Sequence, residues 1–256
     1  MANIVQAPNW ASNCGEDEYG YWVSLEIGEV MQRFRWIVAG EYLMGSPEEE
    51  ADRQGDEVLH KVRLTEGFWL ADTVCTQELW QLIMGQNPSK FNGKSLPVEN
   101  VNWLDTKRFI NRLNEHIGGN VFKLPTEAQW EYACRAGTKS AYAYGKNADS
   151  GLMNYRMNFG KTIEVKGFYK NAWGLCQMHG NVWEWCNDWY GEYDISEKAI
   201  ENPTGPNSGE YRVLRGGSWA NLKGHCRSSF RFKFHPEARY YYNGFRLSAG
   251  HVVHTK

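Results

Sequence analysis

The feature that most constrains this chain is a long stretch without periodicity. After Thr138, roughly seventy residues rich in Gly, Asn, Tyr and Trp show neither a helical nor a strand repeat. A loop of that length inside a compact domain is either functional or packed by its own side chains. Ordinary elements flank it. Residues 34–46 read as a hairpin of aromatic and β-branched residues broken by glycine, and 60–64 alternates as a half-buried strand does. Three helices are expected. The first starts near Thr76 and stops at Gly85. The second runs over 103–116 behind Asn102 as N-cap. The third opens with a Thr126/Gln129 capping box and closes at Gly137. Strand-like text returns at 211–219, 226–234 and 244–248. With no linker and no internal repeat, the chain reads as one α+β domain with an irregular second half.

Composition excludes several partners. Across 256 residues, 28 Lys+Arg against 30 Asp+Glu leave a formal charge of −2, so no basic stripe for nucleic acid is expected. No apolar run is long enough to insert in a membrane. The first residues, Met1 to Gln6, lack the basic and apolar regions of a signal peptide. A cell-surface or envelope location follows if a signal or lipid anchor has been removed, and a cytoplasmic one otherwise. The six cysteines are scattered without metal-ligand spacing, which favours free core thiols over disulfides. Aromatic residues make up 14% of the chain, enough to wedge a core and still leave rings for a surface.

Ordered blocks identify a family. Tyr42-Leu43-Met44-Gly45-Ser46, Leu124-Pro125-Thr126-Glu127 and Trp130-Glu131-Tyr132-Ala133-Cys134-Arg135-Ala136-Gly137-Thr138 come first. His179-Gly180-Asn181-Val182-Trp183-Glu184-Trp185, Arg215-Gly216-Gly217-Ser218-Trp219 and Gly244-Phe245-Arg246 follow. Through them the chain resembles the formylglycine-generating enzyme (sulfatase-modifying factor) family. The resemblance implies a C-type-lectin-like fold, irregular and turn-rich, with few short strands and about three helices. It makes residues 1–29 an N-terminal extension and 30–250 a single domain.

Enzymes of this family hold copper between two cysteine thiolates just after the Gly-Gly-Ser-aromatic block. Counting forward from Trp219, Asn221 replaces the first cysteine and Cys226 falls on the second. Counting back from Gly244, Cys226 matches a non-catalytic position. Either way one thiolate is missing, so no enzyme activity is expected. A divergent copper-dependent oxidase and an inactive adaptor domain are the alternatives. The related sulfoxide synthases bind iron through histidines of a helical domain for which this chain has no counterpart.

Residues 219–246 are open to two interpretations. Phe230, Phe232 and Phe234 alternate with Arg231 and Lys233 as in a core strand, and Tyr240-Tyr241-Tyr242 would then be a loop. The other interpretation comes from a branch of the family. The segment is similar to the variable region of the variable proteins of diversity-generating retroelements, and within them to the treponemal variable lipoprotein type. In that branch adenine-directed mutagenesis diversifies template Asn codons of the AAY type. The corresponding positions here are Ala220, Asn221, Leu222, His225, Phe230, Phe232, Phe234, His235, Tyr240, Tyr241, Tyr242 and Asn243, all reachable from AAY. The resemblance thus implies a non-enzymatic protein whose diversified C-terminal surface binds a protein or glycan ligand. Arg227, Arg231 and Arg239 are expected to be scaffold residues.

Some members of the family bind calcium at the His-Gly-Asn-Val-Trp-Glu-Trp block. The corresponding ligands would be Gln177, Gly180, Val182 and Glu184. The alternative, which needs no cofactor, is that Glu184 accepts hydrogen bonds from loop backbone. The acidic stretch 48–52 reads as a solvated loop.

Overall fold

The computed structural model describes residues 6–195 and 197–250. The reading of the extreme N-terminus therefore lies largely outside the described residues. In chain order the first strands are β1 (Asn13–Asp17), β2 (Gly20–Ile27), β3 (Val30–Ile37), β4 (Gly40–Met44), β5 (His60–Leu64) and β6 (Phe68–Ala71). Helices α1 (Gln77–Met84) and α2 (Trp103–His116), strand β7 (Phe122–Lys123) and helix α3 (Glu127–Arg135) follow. Strands β8 (Trp183–Trp189), β9 (Ile200–Glu201), β10 (Arg212–Arg215), β11 (Phe232–Phe234), β12 (Asn243–Phe245) and β13 (Ser248–Gly250) complete the chain, with a 3₁₀ turn at Lys223–Cys226.

The strands form three sheets. One runs β1-β2-β3-β6-β13-β7, a second β11-β10-β8-β12, and a third β4-β5-β9. The last strand, β13, is antiparallel to both β6 and β7, so the end of the domain is locked inside the largest sheet. The residues before 30 are not an appendage. β1 and β2 pair with each other, and β2 pairs with β3 along six residue pairs. Nor are residues 34–46 a hairpin. β3 is already paired on both edges, by β2 and β6, so the chain turns a corner and β4 joins β5 instead. In β5 the expected alternation holds, with His60, Val62 and Leu64 buried and Lys61 and Arg63 exposed.

The helices start where local chemistry places them. Thr76 caps α1, and Asn102/Asp105 and Thr126/Gln129 form capping boxes on α2 and α3. Gly85 ends α1 in the left-handed region, whereas α3 ends one residue earlier than expected, on Ala136 at φ 44°. α1 and α2 lie against β3 and β7 of the largest sheet, whereas α3 lies against β4, β8 and β10 of the other two. Trp80 of α1 stacks on Phe109 of α2 at 5.2 Å, and both touch Phe245 of β12 edge-on. Trp10 closes the far side against Phe34 and Phe122. Among the described residues no helix is long and apolar enough to cross a membrane.

The stretch between α3 and β8 holds no regular element. Asparagine amides satisfy its backbone instead. Asn171 donates to the carbonyls of Ala133 and Cys134 at the end of α3 and accepts from the amides of Trp173 and Leu175. Asn181 does the same for both backbone groups of Ile163. This explains the asparagine enrichment, since each amide replaces the ladder bonds that a strand would supply.

Candidate functional site

Five arginines fasten the C-terminal segment to distant parts of the fold. Arg215, fully buried, donates to Glu131 and to the carbonyls of Ser228 (2.9 Å), Ser229 (2.8 Å) and Phe230. Arg227 grips both oxygens of Glu57, at 2.7 and 2.5 Å, and reaches Glu50 at 2.6 Å. Forked pairs join Arg231 to Glu127 (2.7 and 2.9 Å), Arg239 to Asp105 (2.7 and 2.9 Å) and Arg246 to Glu184 (2.9 and 2.8 Å). Such bidentate pairs are directional as well as strong. Burial pushes the carboxyls of Glu57, Asp105 and Glu127 upward, and the arginines more than reverse it, so all three sit below their ordinary values. The acidic stretch is therefore not simply solvated. Glu50 and the carbonyl of Asp52 close over Arg227.

Between the arginines lie the rings. In β11, Phe232 and Phe234 sit opposite Leu214 and Arg212 of β10, while Lys233 turns to the other face, 4.6 Å above the Tyr190 ring. The rings make one continuous ribbon. His225 meets Phe230 (4.8 Å), Phe230 meets Trp183 (6.0 Å), and Trp183 stacks on Phe232 (5.0 Å). Phe232 leads to Phe234 (5.5 Å), Tyr240 (4.7 Å), Tyr242 (5.2 Å) and Tyr241 (5.4 Å). Tyr241 then meets Trp219, which meets Phe91, and Lys90 places its ammonium 4.2 Å over Tyr241. Trp183, Phe91 and Lys90 escape the sequence reading, which takes Trp183 only as part of the His179–Trp185 family block. Only the fold, which brings residues 87–91 beside Trp219 and Tyr241, places Lys90 and Phe91 here.

The twelve positions thus divide. Leu222, His235, Tyr240 and Tyr241 are exposed, and Ala220, Asn221, His225, Phe232, Phe234 and Tyr242 are half-buried. Leu222, His225 and Phe230 border a cleft of about 520 Å³ at one end of the ribbon. Asn221 accepts from the Ser218 hydroxyl, and His235 accepts from the Glu237 amide at 3.4 Å. Two positions do not reach the surface. Phe230 is 8% exposed, packed under Trp183 and His225, and Asn243 is wholly buried. Asn243 opens β12 beside Trp183, and its side-chain amide finds no hydrogen-bond partner among the described residues. The strand pairing turns it inward.

The framework holds this segment mainly by its backbone. The amide of Asn100 donates to the Tyr240 carbonyl (3.0 Å), that of Trp103 to Pro236 (3.0 Å) and that of Trp183 to Tyr242 (2.8 Å). Amides of Arg156 and Met157 take the carbonyls of Asn221 and Trp219, and the Tyr142 hydroxyl takes that of Lys223. None of these bonds depends on which side chain the gripped residue carries.

The residues do not fit the implied metals. Both oxygens of Glu184 accept from Arg246, and one also accepts from the Trp130 indole at 2.8 Å, so side chains and not loop backbone satisfy it. The Gln177 amide is committed to Asn181 (2.6 Å) and the Glu164 carbonyl (2.8 Å). Gly180 and Val182 then lack the carboxylate that calcium needs. Cys226 is buried with its thiol pushed up to about 12 by desolvation, and the six cysteines are unpaired. Burial drives His179 down to about 4, so it is neutral, accepting the Ala143 amide and donating to the Cys226 carbonyl.

Known proteins resemble the chain in sequence and fold. The sulfatase-modifying factor enzyme 1-like domain matches residues 28–249. Serine/threonine-protein kinase pkn1 of Chlamydia caviae is 38% identical over 157 residues, which are 60% of this chain and 24% of the kinase. The formylglycine-generating enzyme of Mus musculus is 29% identical over 231 residues, 79% of this chain and 60% of the enzyme. The chain therefore spans under two thirds of the length of either. Treponema denticola variable protein 1 superposes with a TM-score of 0.81 at 31% identity, covering 90% of this chain and 99% of that one. Matched along nearly its whole described length, the chain belongs to the sulfatase-modifying factor enzyme 1-like family, on the branch that includes that variable protein.

Proposed function

We propose that this protein is a non-enzymatic binder whose C-terminal ribbon of rings recognises a protein or glycan ligand, and that a retroelement diversifies it. The observation that carries this proposal is the division of labour within residues 219–246. Arginine clamps and backbone bonds fix the path of the chain, and among the rings between them Tyr240 and Tyr241 are left exposed and Phe232, Phe234 and Tyr242 half-exposed. Tyr and Phe offer large contact area with two χ angles each to order. The likeness to Treponema denticola variable protein 1 supports the same role. The buried, protonated thiol of Cys226, and Asn221 where the first cysteine would fall counting forward from Trp219, weigh against copper chemistry. A cell-surface location belongs to the same proposal.

Deep sequencing of the 3′ end of the gene in a natural population tests it. Substitutions confined to adenine-derived codons of the twelve positions are the expected result. An invariant segment would overturn diversification.

A further inference from the structure

A second site lies on the other side of Arg231. A half-enclosed pocket of about 410 Å³ opens between α3, the end of β8 and the turn after β9. That is within the size range of small-molecule sites. Its floor is Asp188, which is 3% exposed. One carboxyl oxygen accepts the Glu127 amide at 3.0 Å, and no cation lies within ion-pair distance of the group among the described residues. The neighbouring carboxylate, Glu127, is fully satisfied by Arg231 and the Tyr193 hydroxyl. Asp188 is thus a buried acid without an ion pair of its own, set at the N-terminus of α3, where the Arg231 and Arg212 guanidiniums act on it only from a distance. Burial, reinforced by Glu127, lifts it to about 8.

Two further observations define what would fill the pocket. Glu192 and Asp194 stand exposed at its rim, so the mouth is acidic. Its walls include Met44, Ile200 and Pro206, which are apolar. Gly205 lets the turn close over Asp188. It has φ +71°, and a Cβ there would fall 2.9 Å from the Trp189 carbonyl and 3.1 Å from Asp188 Cβ. A buried structural carboxyl is ordinarily ion-paired, and one held by backbone amides alone in an acid-rimmed pocket matches a cationic guest.

We infer that this pocket binds a small organic cation, an ammonium group on a short apolar body, with Asp188 as its counter-ion. The inference does not depend on the ribbon being a diversified face. Calorimetric titration of the full chain with hexylammonium and phenethylammonium tests it, with 1-hexanol and phenethyl alcohol as uncharged counterparts. The expected result is saturable binding of the ammonium probes, at least about tenfold tighter than the alcohols, and a loss of about tenfold or more in Asp188→Asn. Asn keeps the acceptor for the Glu127 amide, so the fold should survive. Should it not, the exposed pair Glu192→Gln with Asp194→Asn replaces it, with a weakening of about two- to threefold expected at low salt. No saturable ammonium binding, equal binding of the alcohols, or indifference to these substitutions would overturn the inference.

Discussion

Along residues 227–246, arginines and aromatic rings are interspersed, yet they face different worlds. Arg227, Arg231 and Arg246 are at most 5% exposed and end on carboxylates. Tyr240 and Tyr241 are 37% and 38% exposed, and among the described residues their hydroxyls bond to nothing in the protein. The lesson is that one short segment can be rigid and uncommitted at once. Rigidity comes from charges buried with partners, which are costly to disturb. Freedom comes from rings that lean on each other and could be exchanged without exposing an unpaired polar group.

The sharpest way to break this comparison is at Arg215. Arg215→Met leaves one oxygen of Glu131 and three carbonyls unpaired in the interior, while Arg135 keeps the other oxygen, and a loss of about 3–5 kcal/mol is expected in urea unfolding. A loss near that of a surface substitution would show that the clamp is dispensable. Phe230→Ala comes next. This ring counts among the twelve by sequence but packs as core, so about 3 kcal/mol should be lost.

Acidity addresses the buried carboxyls, with an effect on the order of a few kcal/mol. Glu57, Asp105 and Glu127 have depressed values when folded, so their contribution is present above about pH 4.3 and drains away below it. Asp188 and Glu99 are raised, to about 8 and about 7, so their ionisation lowers stability as pH climbs from about 4 to 8. A urea midpoint that peaks near pH 5 is the expected profile, and one that rises steadily to pH 8 would contradict it. The smallest effect belongs to the rings themselves. Tyr240→Ala and Tyr241→Ala should each change stability by within about 0.5 kcal/mol, while ligand capture, once a ligand is in hand, should fall sharply.

The sequence makes local chemistry legible and long-range pairing opaque. The caps at Thr76, Asn102 and Thr126 are readable because each partner lies three residues away. The alternation of β5 and β11 is readable for the same reason. Arg227 and Glu57 are 170 positions apart, Arg231 and Glu127 104, and no spacing rule connects them. The false hairpin at 34–46 fails similarly, because strand text does not say which edge is free. Residue type alone also cannot separate Asn243, interior by virtue of β12 pairing with β8, from exposed Asn-like neighbours.

The bonds from Asn100, Trp103 and Trp183 to the carbonyls of Tyr240, Pro236 and Tyr242 have one more consequence. A carbonyl is common to all twenty amino acids, so at Tyr240 and Tyr242 the fold consults a group that carries no information about identity. The instructions for folding are written elsewhere in the chain. Under the proposed binding role these letters are left blank for recognition, so that a change there would rewrite what the molecule meets without rewriting what it is.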